Sequence, residues 1–136
     1  KGLQHKSVIR KGVSIYAAPK FKGLRQSFPK SISSAPMILP TYDSKMRYDI
    51  DHWAELNGVA LDVAIESQDI SVKKLMAVSG LGLLPAASHT VTRQVLSGEL
   101  VEIGVVENTW EELFLVSAKR KIENDVARKL MASFTV

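Results

Sequence analysis

The sequence contains no cysteine, few aromatic residues (7%) and no long hydrophobic run. Without cysteine, the chain cannot hold a disulfide framework, a thiolate nucleophile or a thiolate-ligated metal. No apolar run approaches the roughly 18 residues that a membrane-spanning helix needs, and no secretory leader is visible. These absences predict a protein of the reducing cytoplasm that does not enter a membrane.

The charge balance is positive but dispersed. The 136 residues include 18 Lys and Arg against 14 Asp and Glu, which gives a net charge of +4. The nearest approach to a basic cluster is residues 119–121, and most basic segments also carry acids. Nucleic-acid surfaces concentrate positive charge in one stripe beside aromatic or base-reading side chains. The pattern therefore argues against direct contact between this chain and DNA or RNA.

Strand and helix patterns alternate along a chain whose length fits one domain. Strands are predicted at residues 13–18, 37–39, 60–65, 81–84, 100–103 and 112–118, and helices at 20–27, 46–56, around 72–76, at 87–96 and around 122–134. Pro19, Pro40 and Pro85 each end a strand, because proline lacks the N–H donor of a strand ladder. Such alternation is typical of an α/β sheet with helices on both faces. Residues 81–84 are almost wholly apolar, as in a central parallel strand buried on both faces.

The best-defined helix follows three candidate capping residues, Thr41, Asp43 and Ser44. Its apolar residues recur at spacings of four, three and three and predict one buried face: Met46, Ile50, Trp53 and Leu56. The opposite face carries the charged residues Lys45, Arg47, Asp49, Asp51 and Glu55. The helix is expected to end at Asn57-Gly58, since both residues tolerate positive φ.

Most motifs of catalysis and metal binding are missing. The three histidines lack any ligand spacing, and Gly80-Leu81-Gly82 is not followed by the third glycine of a dinucleotide fingerprint. No nucleophile elbow and no P-loop occurs, and the acids at 43, 49 and 51 have the wrong offsets for a calcium loop. The sequence therefore predicts no enzyme, no metal site and no cofactor.

Two loops run from a predicted strand end into a predicted helix start, at residues 39–44 and 65–71. Each places hydroxyl and amide groups beside backbone N–H groups that a helix leaves without partners. Such an arrangement favours a small anion or a carboxylate. The same side chains could equally serve only to cap their helices.

Residues 78–85 (VSGLGLLP), followed by residues 96–101 (LSGELV), resemble the effector-binding domain of LysR-type transcriptional regulators. That domain carries a similar run of two glycines, apolar residues and proline, then a short helix and Gly-x-Leu-Val. Residues 36–40, placed before the helix of Trp53, fit the same domain, and residues 113–121 resemble its returning strand and basic turn. The resemblance covers nearly the whole chain.

Several segments are most similar to one subgroup, the activator of sodium/proton antiporter genes. These segments are residues 14–19, 28–29, 35–40 and 51–53. The subgroup tends to have an acidic stretch with an aromatic residue where this chain has residues 66–69 (ESQD). The resemblance therefore does not extend to ion specificity.

The resemblance implies a two-lobe sensor with the type II periplasmic-binding-protein-like fold, which holds a small molecule or ion between its lobes. Residues 20–103 would form one complete lobe, and residues 1–19 and 104–136 would form the crossover strands and part of the other lobe. The implied hinge residues are Ala18, Pro19, Gly104 and Val105. The helix-turn-helix domain with which the family reads promoter DNA has no counterpart in these residues.

The resemblance also implies a site and partners. Family members often place a hydroxyl residue facing the effector where this chain has residues 67–69, and the implied effector-binding residues are Thr41, Ser67, Gln68, Asp69 and Ile70. The implied partners are a small-molecule or ion effector and further copies of the chain, as a homodimer or homotetramer. The helix of Val72, Leu75 and Met76 is a candidate pairing surface, although a core stripe is the interpretation that we favour for these three residues.

Two other functions remain open. A solute-binding protein would share the two-lobe fold, and only the missing leader argues against it. A small α/β enzyme is disfavoured by the missing motifs, and a residue with a strongly perturbed pKa in a closed pocket would favour it again.

Overall fold

The computed structural model describes residues 4–118 of the chain, and the side chains of residues 7–113. The chain divides into two compact units. One is Gly12–Glu111, and the other comprises Lys1–Lys11 with Glu112–Val136. In the latter unit, Arg10 Nε lies 3.0 Å from Glu112 Oε2 in an exposed ion pair. The predicted lobe, residues 20–103, lies wholly within the first unit, which extends further at both ends.

Five strands and three α-helices make up the described residues. The strands are β1 (Gln4–Ala17), β2 (Pro36–Leu39), β3 (Asp62–Glu66), β4 (Leu84–Ala87) and β5 (Val101–Ala118). The α-helices are α1 (Lys45–Leu56), α2 (Ile70–Val78) and α3 (Thr92–Ser97). Short 3-10 helices cover Pro19–Arg25, Lys30–Ile32 and Ser88–Thr90. The prediction of an α/β fold is confirmed.

The strands form two hydrogen-bonded groups. One is a three-stranded sheet in the order β4-β1-β5, in which β1 and β4 are antiparallel. The other is the parallel pair of β2 and β3, with an irregularity between Met37 and Ile38. Leu83 links β2 to the start of β4, because its N–H donates to Pro36 O and its carbonyl accepts from Ile38 N, both at 2.8 Å.

Helix α1 shows how local sequence sets its own ends. The Ser44 hydroxyl oxygen accepts a hydrogen bond from Arg47 N at 3.0 Å, which satisfies one free donor of the first turn. At the other end, Asn57 Nδ2 donates to Trp53 O at 2.8 Å, and Gly58 follows with a φ of +67°. The predicted cap and stop are both confirmed.

The core lies on both faces of β2. Met37 and Leu39 pack with Ile15, Ile50 and Leu83 in one cluster, all fully buried. Ile38 points the other way and joins a second cluster, whose other buried members are Tyr16, Ala77, Leu84, Ala86, Val91 and Leu100. This double burial explains the uninterrupted apolar sequence of β2, as expected for a strand covered on both faces.

Several predicted strand boundaries are wrong. The first strand begins at Gln4 rather than at residue 13, and the central parallel strand predicted at 81–84 is instead β4, which begins at Leu84 and is antiparallel to β1. Pro85 does not end a strand but lies inside β4, opposite Ile15 of β1. Because β4 is at one edge of its sheet, the missing N–H of proline interrupts no ladder on the outer side. The strands predicted at 100–103 and 112–118 are one strand, β5, which begins at Val101, since the intervening residues include strand-forming valine, threonine and tryptophan.

Three of the predicted helices also need correction. The helix predicted at 20–27 is the 3-10 helix Pro19–Arg25. The predicted helix at 87–96 is a 3-10 turn followed by the short helix α3. Leu56, assigned to the buried face of α1, is the last residue of the helix and is 73% exposed. The helix predicted around 122–134 lies outside the described residues.

The predicted hinge residues have ordinary structural roles. Ala18 is buried after the end of β1, and Pro19 begins a 3-10 helix. Gly104 and Val105 lie within the continuous strand β5. A hinge at these residues stays a prediction.

No helix within residues 4–118 has both the length and the apolar character that crossing a membrane requires.

Candidate functional site

A cavity of about 460 Å³ lies where β2 and β3 end and α1 and α2 begin. The loop after β2 contributes Thr41, Asp43 and Ser44 to its wall, and the loop and helix after β3 contribute Gln68, Ile70 and Lys73. All lining residues belong to the unit Gly12–Glu111. The two loops that the sequence singled out therefore meet at one cavity.

Ser67 and Asp69 serve as helix caps. Asp69 Oδ1 accepts hydrogen bonds from Ser71 N at 2.9 Å and Val72 N at 3.3 Å. Ser67 Oγ accepts from Asp69 N at 3.0 Å, which holds the capping residue in place. Neither side chain lines the cavity. The capping interpretation describes these two residues, whereas Thr41, Gln68 and Ile70 line the cavity.

Thr41, Asp43 and Gln68 join the two loops through hydrogen bonds. The Thr41 hydroxyl donates to Asp43 Oδ1 at 2.5 Å, and Gln68 Nε2 donates to Thr41 Oγ1 at 3.1 Å and to Asp43 Oδ2 at 3.3 Å. The Thr41 hydroxyl, the backbone N–H of Asp43 and the Gln68 amide hold the pKa of Asp43 below its usual value. This carboxylate therefore stays ionised at the cavity mouth at neutral pH.

Arg47 is hydrogen-bonded to the start of both loops, although the sequence pattern places it on the exposed face of α1. Its side chain is only 3% exposed. Nη1 donates to Pro40 O at 3.0 Å and to Glu66 Oε2 at 2.7 Å, so one guanidinium joins the ends of β2 and β3. Nε pairs with Asp51 at 3.1 Å. Burial alone would lower the pKa of Arg47, but its hydrogen bonds with Glu66 and Asp51 raise the pKa above its ordinary value.

Tyr42 completes this anchor on the solvent side. Its ring lies 4.1 Å from the Arg47 guanidinium carbon, an arrangement that favours a cation–π contact. The tyrosine itself is 74% exposed, so it covers the arginine rather than filling the core. The loop after β2 thus contacts the Arg47 guanidinium twice, through the Pro40 carbonyl and through the Tyr42 ring.

Lys73 is a functional candidate that the sequence analysis missed. It lies on the wall of the cavity, and the residue is only 7% exposed. Burial lowers its pKa, and the negative charges of Glu111 and Asp69 partly oppose this effect. Among the described residues, none forms a hydrogen bond or an ion pair with its Nζ. An ammonium in this position attracts an acceptor from within the cavity.

The sequence did hold a signal for Lys73. It lies three residues after Ile70 and four before the buried Ala77, which places it on the inward face of α2. A charged residue at a core-facing helical position requires a partner or a ligand. The core stripe predicted at Val72, Leu75 and Met76 is wrong for two of these residues. Val72 is 37% and Leu75 66% exposed.

Among residues 4–118, no three His, Asp or Glu side chains come together in a way that could hold a metal ion.

Comparison with known proteins identifies a family. The LysR substrate binding domain matches residues 2–135 of the chain. No curated protein is significantly similar to it in sequence.

Solved structures share the fold. The regulatory domain of HypT from Salmonella typhimurium superposes with a TM-score of 0.70 at 12% identity, over 98% of this chain and 68% of that one. The regulatory domain of CcmR from Synechocystis, solved in complex with 2-PG, gives a TM-score of 0.66 at 14% identity, over 99% of this chain and 69% of that one. A LysR family transcriptional regulator, VV2_1132, gives 0.68 at 13% identity. That alignment includes 97% of this chain but only 44% of VV2_1132, so this chain spans less than half of that regulator's length.

Proposed function

Because the chain belongs to the LysR substrate binding domain family and has its type II periplasmic-binding-protein-like α/β fold, we propose that it is the effector-sensing part of a LysR-type transcriptional regulator. The observation that carries this proposal is the cavity between the loops after β2 and β3. It combines apolar walls with a few polar groups from Thr41, Gln68 and Lys73, as small-molecule sites do. Family membership favours a regulator over a solute-binding protein.

The proposed mechanism is a shift in population. A ligand changes the balance between two conformations only by its differential affinity for them. Here the ligand would bind the loops that Arg47 holds together, and the altered conformation would change how DNA-binding domains are presented. The proposal includes a cytoplasmic location, activation of transcription, no catalytic activity, and promoter binding through a helix-turn-helix domain outside residues 1–136.

A narrower proposal concerns the target genes. The segments at residues 14–19, 28–29, 35–40 and 51–53 support regulation of sodium/proton antiporter genes by their resemblance to that activator. Sodium and lithium are therefore among the effectors to test.

Thermal unfolding of the full chain tests the binding function. The compounds are sodium, lithium, sulfate, small carboxylates and the twenty amino acids. We expect at least one to raise the Tm, since a ligand at a hundred times its Kd stabilises a protein by about 2.7 kcal/mol. Thr41→Val removes the hydroxyl that Gln68 contacts in the cavity wall, and it should reduce the affinity about tenfold.

Thr92→Val is the matched control, because the hydroxyl of Thr92, on α3, donates to Ser88 O and lies outside the cavity lining. It should leave the ligand-induced shift unchanged. No shift with any compound, or equal shifts in wild type and Thr41→Val, would contradict the proposal.

The exposed apolar face of α2 supports self-association. Leu75 and Val72 of α2 and Leu96 of α3 present large side chains to solvent, with Leu75 66% and Leu96 82% exposed. We propose that this face pairs two copies of the chain as a homodimer. In a two-fold interface each residue is used twice, so one substitution acts at two places.

Leu75→Glu is expected to weaken dimerisation by about 30-fold, because it places a charge in a desolvated apolar contact. Analytical ultracentrifugation across a concentration series measures the dissociation constant. Leu56→Glu is the control, since Leu56 is 73% exposed but lies at the end of α1. The dimer proposal is wrong if Leu75→Glu dimerises like wild type or if both variants dissociate alike.

A further inference from the structure

The Lys73 ammonium is the starting point. The residue is nine-tenths buried in the cavity wall, and within the described part of the chain nothing forms a hydrogen bond or an ion pair with its Nζ. A charged side chain this deeply placed is costly without a partner, and none of the described protein groups accepts a hydrogen bond from Lys73 Nζ. A negatively charged oxygen that enters the cavity would supply the missing acceptor.

The cavity is not a simple anion site, however. Asp43 and Glu111 also line it, so carboxylates outnumber ammonium groups in its wall. Glu111 is close enough to Lys73 to act on it electrostatically. A purely anionic ligand would therefore be repelled by the two acids, and a purely cationic one would leave Lys73 without an acceptor. A ligand that carries both charges meets an attractive group at each end.

The rest of the wall is suited to a short apolar side chain. Met46, Ile70, Pro85 and Ala86 contribute apolar surface. The volume of about 460 Å³ is within the range of small-molecule sites, roughly 300–1,000 Å³. A compound the size of an amino acid would fit.

We infer that the ligand is a small amino carboxylate, whose carboxylate binds Lys73 and whose ammonium group lies toward Glu111 and Asp43. This inference rests on the proposed function, because it names the ligand class of the same cavity. It assigns Lys73 and Glu111 as the residues that determine which charges the ligand must carry.

Matched ligand analogues test the charge requirement. The twenty amino acids are screened against the full chain by thermal unfolding, and the best ligand is taken to titration calorimetry. It is compared with the carboxylate that lacks its amino group and with the amine that lacks its carboxylate; for leucine these are 4-methylpentanoate and 3-methylbutylamine. Each analogue is expected to bind at least tenfold more weakly than the amino acid.

Two charge-removing variants assign each end of the ligand. Lys73→Met should weaken amino acid binding at least tenfold and abolish the preference over the amine. Glu111→Gln should instead abolish the preference over the carboxylate analogue. Lys22→Met is the control, because it removes the same charge from an exposed residue of the Pro19–Arg25 helix, outside the cavity lining. Circular dichroism checks that each variant is folded.

Several outcomes overturn the inference. If the carboxylate analogue binds more tightly than the amino acid, the ligand is an anion and the inference is wrong. If Glu111→Gln binds the amino acid as tightly as wild type does and keeps its preference over the carboxylate analogue, Glu111 does not bind the ammonium group. If no amino acid binds but another compound does in a Thr41-dependent way, the inference fails while the proposed function stands. If nothing binds, the proposed function fails. If Lys73→Met does not fold, the comparison of the ligand analogues in wild type and in the Glu111→Gln variant still tests the inference.

Discussion

Replacing Arg47 with methionine is expected to lower the free energy of unfolding by about 3 kcal/mol. Methionine keeps much of the aliphatic volume of the arginine stem but removes every hydrogen bond of the guanidinium. Pro40 O, a buried acceptor, then loses its donor, which alone costs about 1–3 kcal/mol. The ion pairs with Asp51 and Glu66 add less, because these two acids are 41% and 36% exposed.

Lys45→Met provides the matched control on the same helix. Lys45 pairs with Asp49 four residues later, as Arg47 pairs with Asp51, but the Lys45 side chain is 69% exposed. An exposed pair at this spacing contributes about 0.3–0.5 kcal/mol. Urea unfolding, followed by circular dichroism, measures both variants. If Arg47→Met is no more destabilised than Lys45→Met, the guanidinium does not anchor the two loops.

The Arg47 variant also bears on the site. The guanidinium holds the carbonyl of Pro40, the first residue after β2, and the carboxylate of Glu66, the last residue of β3, so it binds each cavity loop where that loop begins. Release of this anchor would let the loops separate, so Thr41 and Gln68 would no longer be held together. The proposed binding function therefore depends on a residue that does not touch the cavity.

The parts of the fold that could be predicted from sequence are those set by local chemistry. Ser44 caps α1 through its own hydroxyl, and Asn57-Gly58 ends the helix through backbone geometry, so neighbouring residues suffice to predict them. Pro85 could not be placed in the same way. A proline ends a strand only if its missing donor faces a partner, and the strand order decides that.

Only half of the candidate site could be predicted, because the rest depends on which groups the tertiary fold brings next to each side chain. The two loops follow from where strands end and helices begin, and Thr41, Gln68 and Ile70 do line the cavity. Ser67 and Asp69 look the same in sequence, yet their oxygens face backbone N–H groups. Arg47 lies on the charged face of its helical pattern, and only the tertiary fold shows that it is buried; Lys73 lies on the inward face of α2, but the pattern does not show what its charge meets there.

Gly104→Ala is expected to have a large effect on stability, and it also tests the predicted hinge. A Cβ atom at this position would lie 2.5 Å from both Cδ1 and Cε1 of Phe28 and 2.7 Å from its Cγ. Because Cγ is the base of the ring, rotation of the ring about its own axis cannot relieve the contact. The ring is also stacked on Trp53, at 5.9 Å between centroids, and Trp53 is in the core. Gly104→Ala should therefore lower the free energy of unfolding by about 2–3 kcal/mol.

A double-mutant cycle with Phe28→Ala separates packing from hinge motion. If Gly104 serves to admit the Phe28 ring, the double variant should be about as stable as Phe28→Ala alone, since the shortened side chain leaves room for the methyl group. Gly23→Ala is the control, because nothing lies within 4 Å of a Cβ there, and its effect should stay below about 0.5 kcal/mol. A hinge role predicts the reverse: Gly104→Ala would retain wild-type stability, would alter the response to ligand, and would not be rescued by the loss of the Phe28 ring.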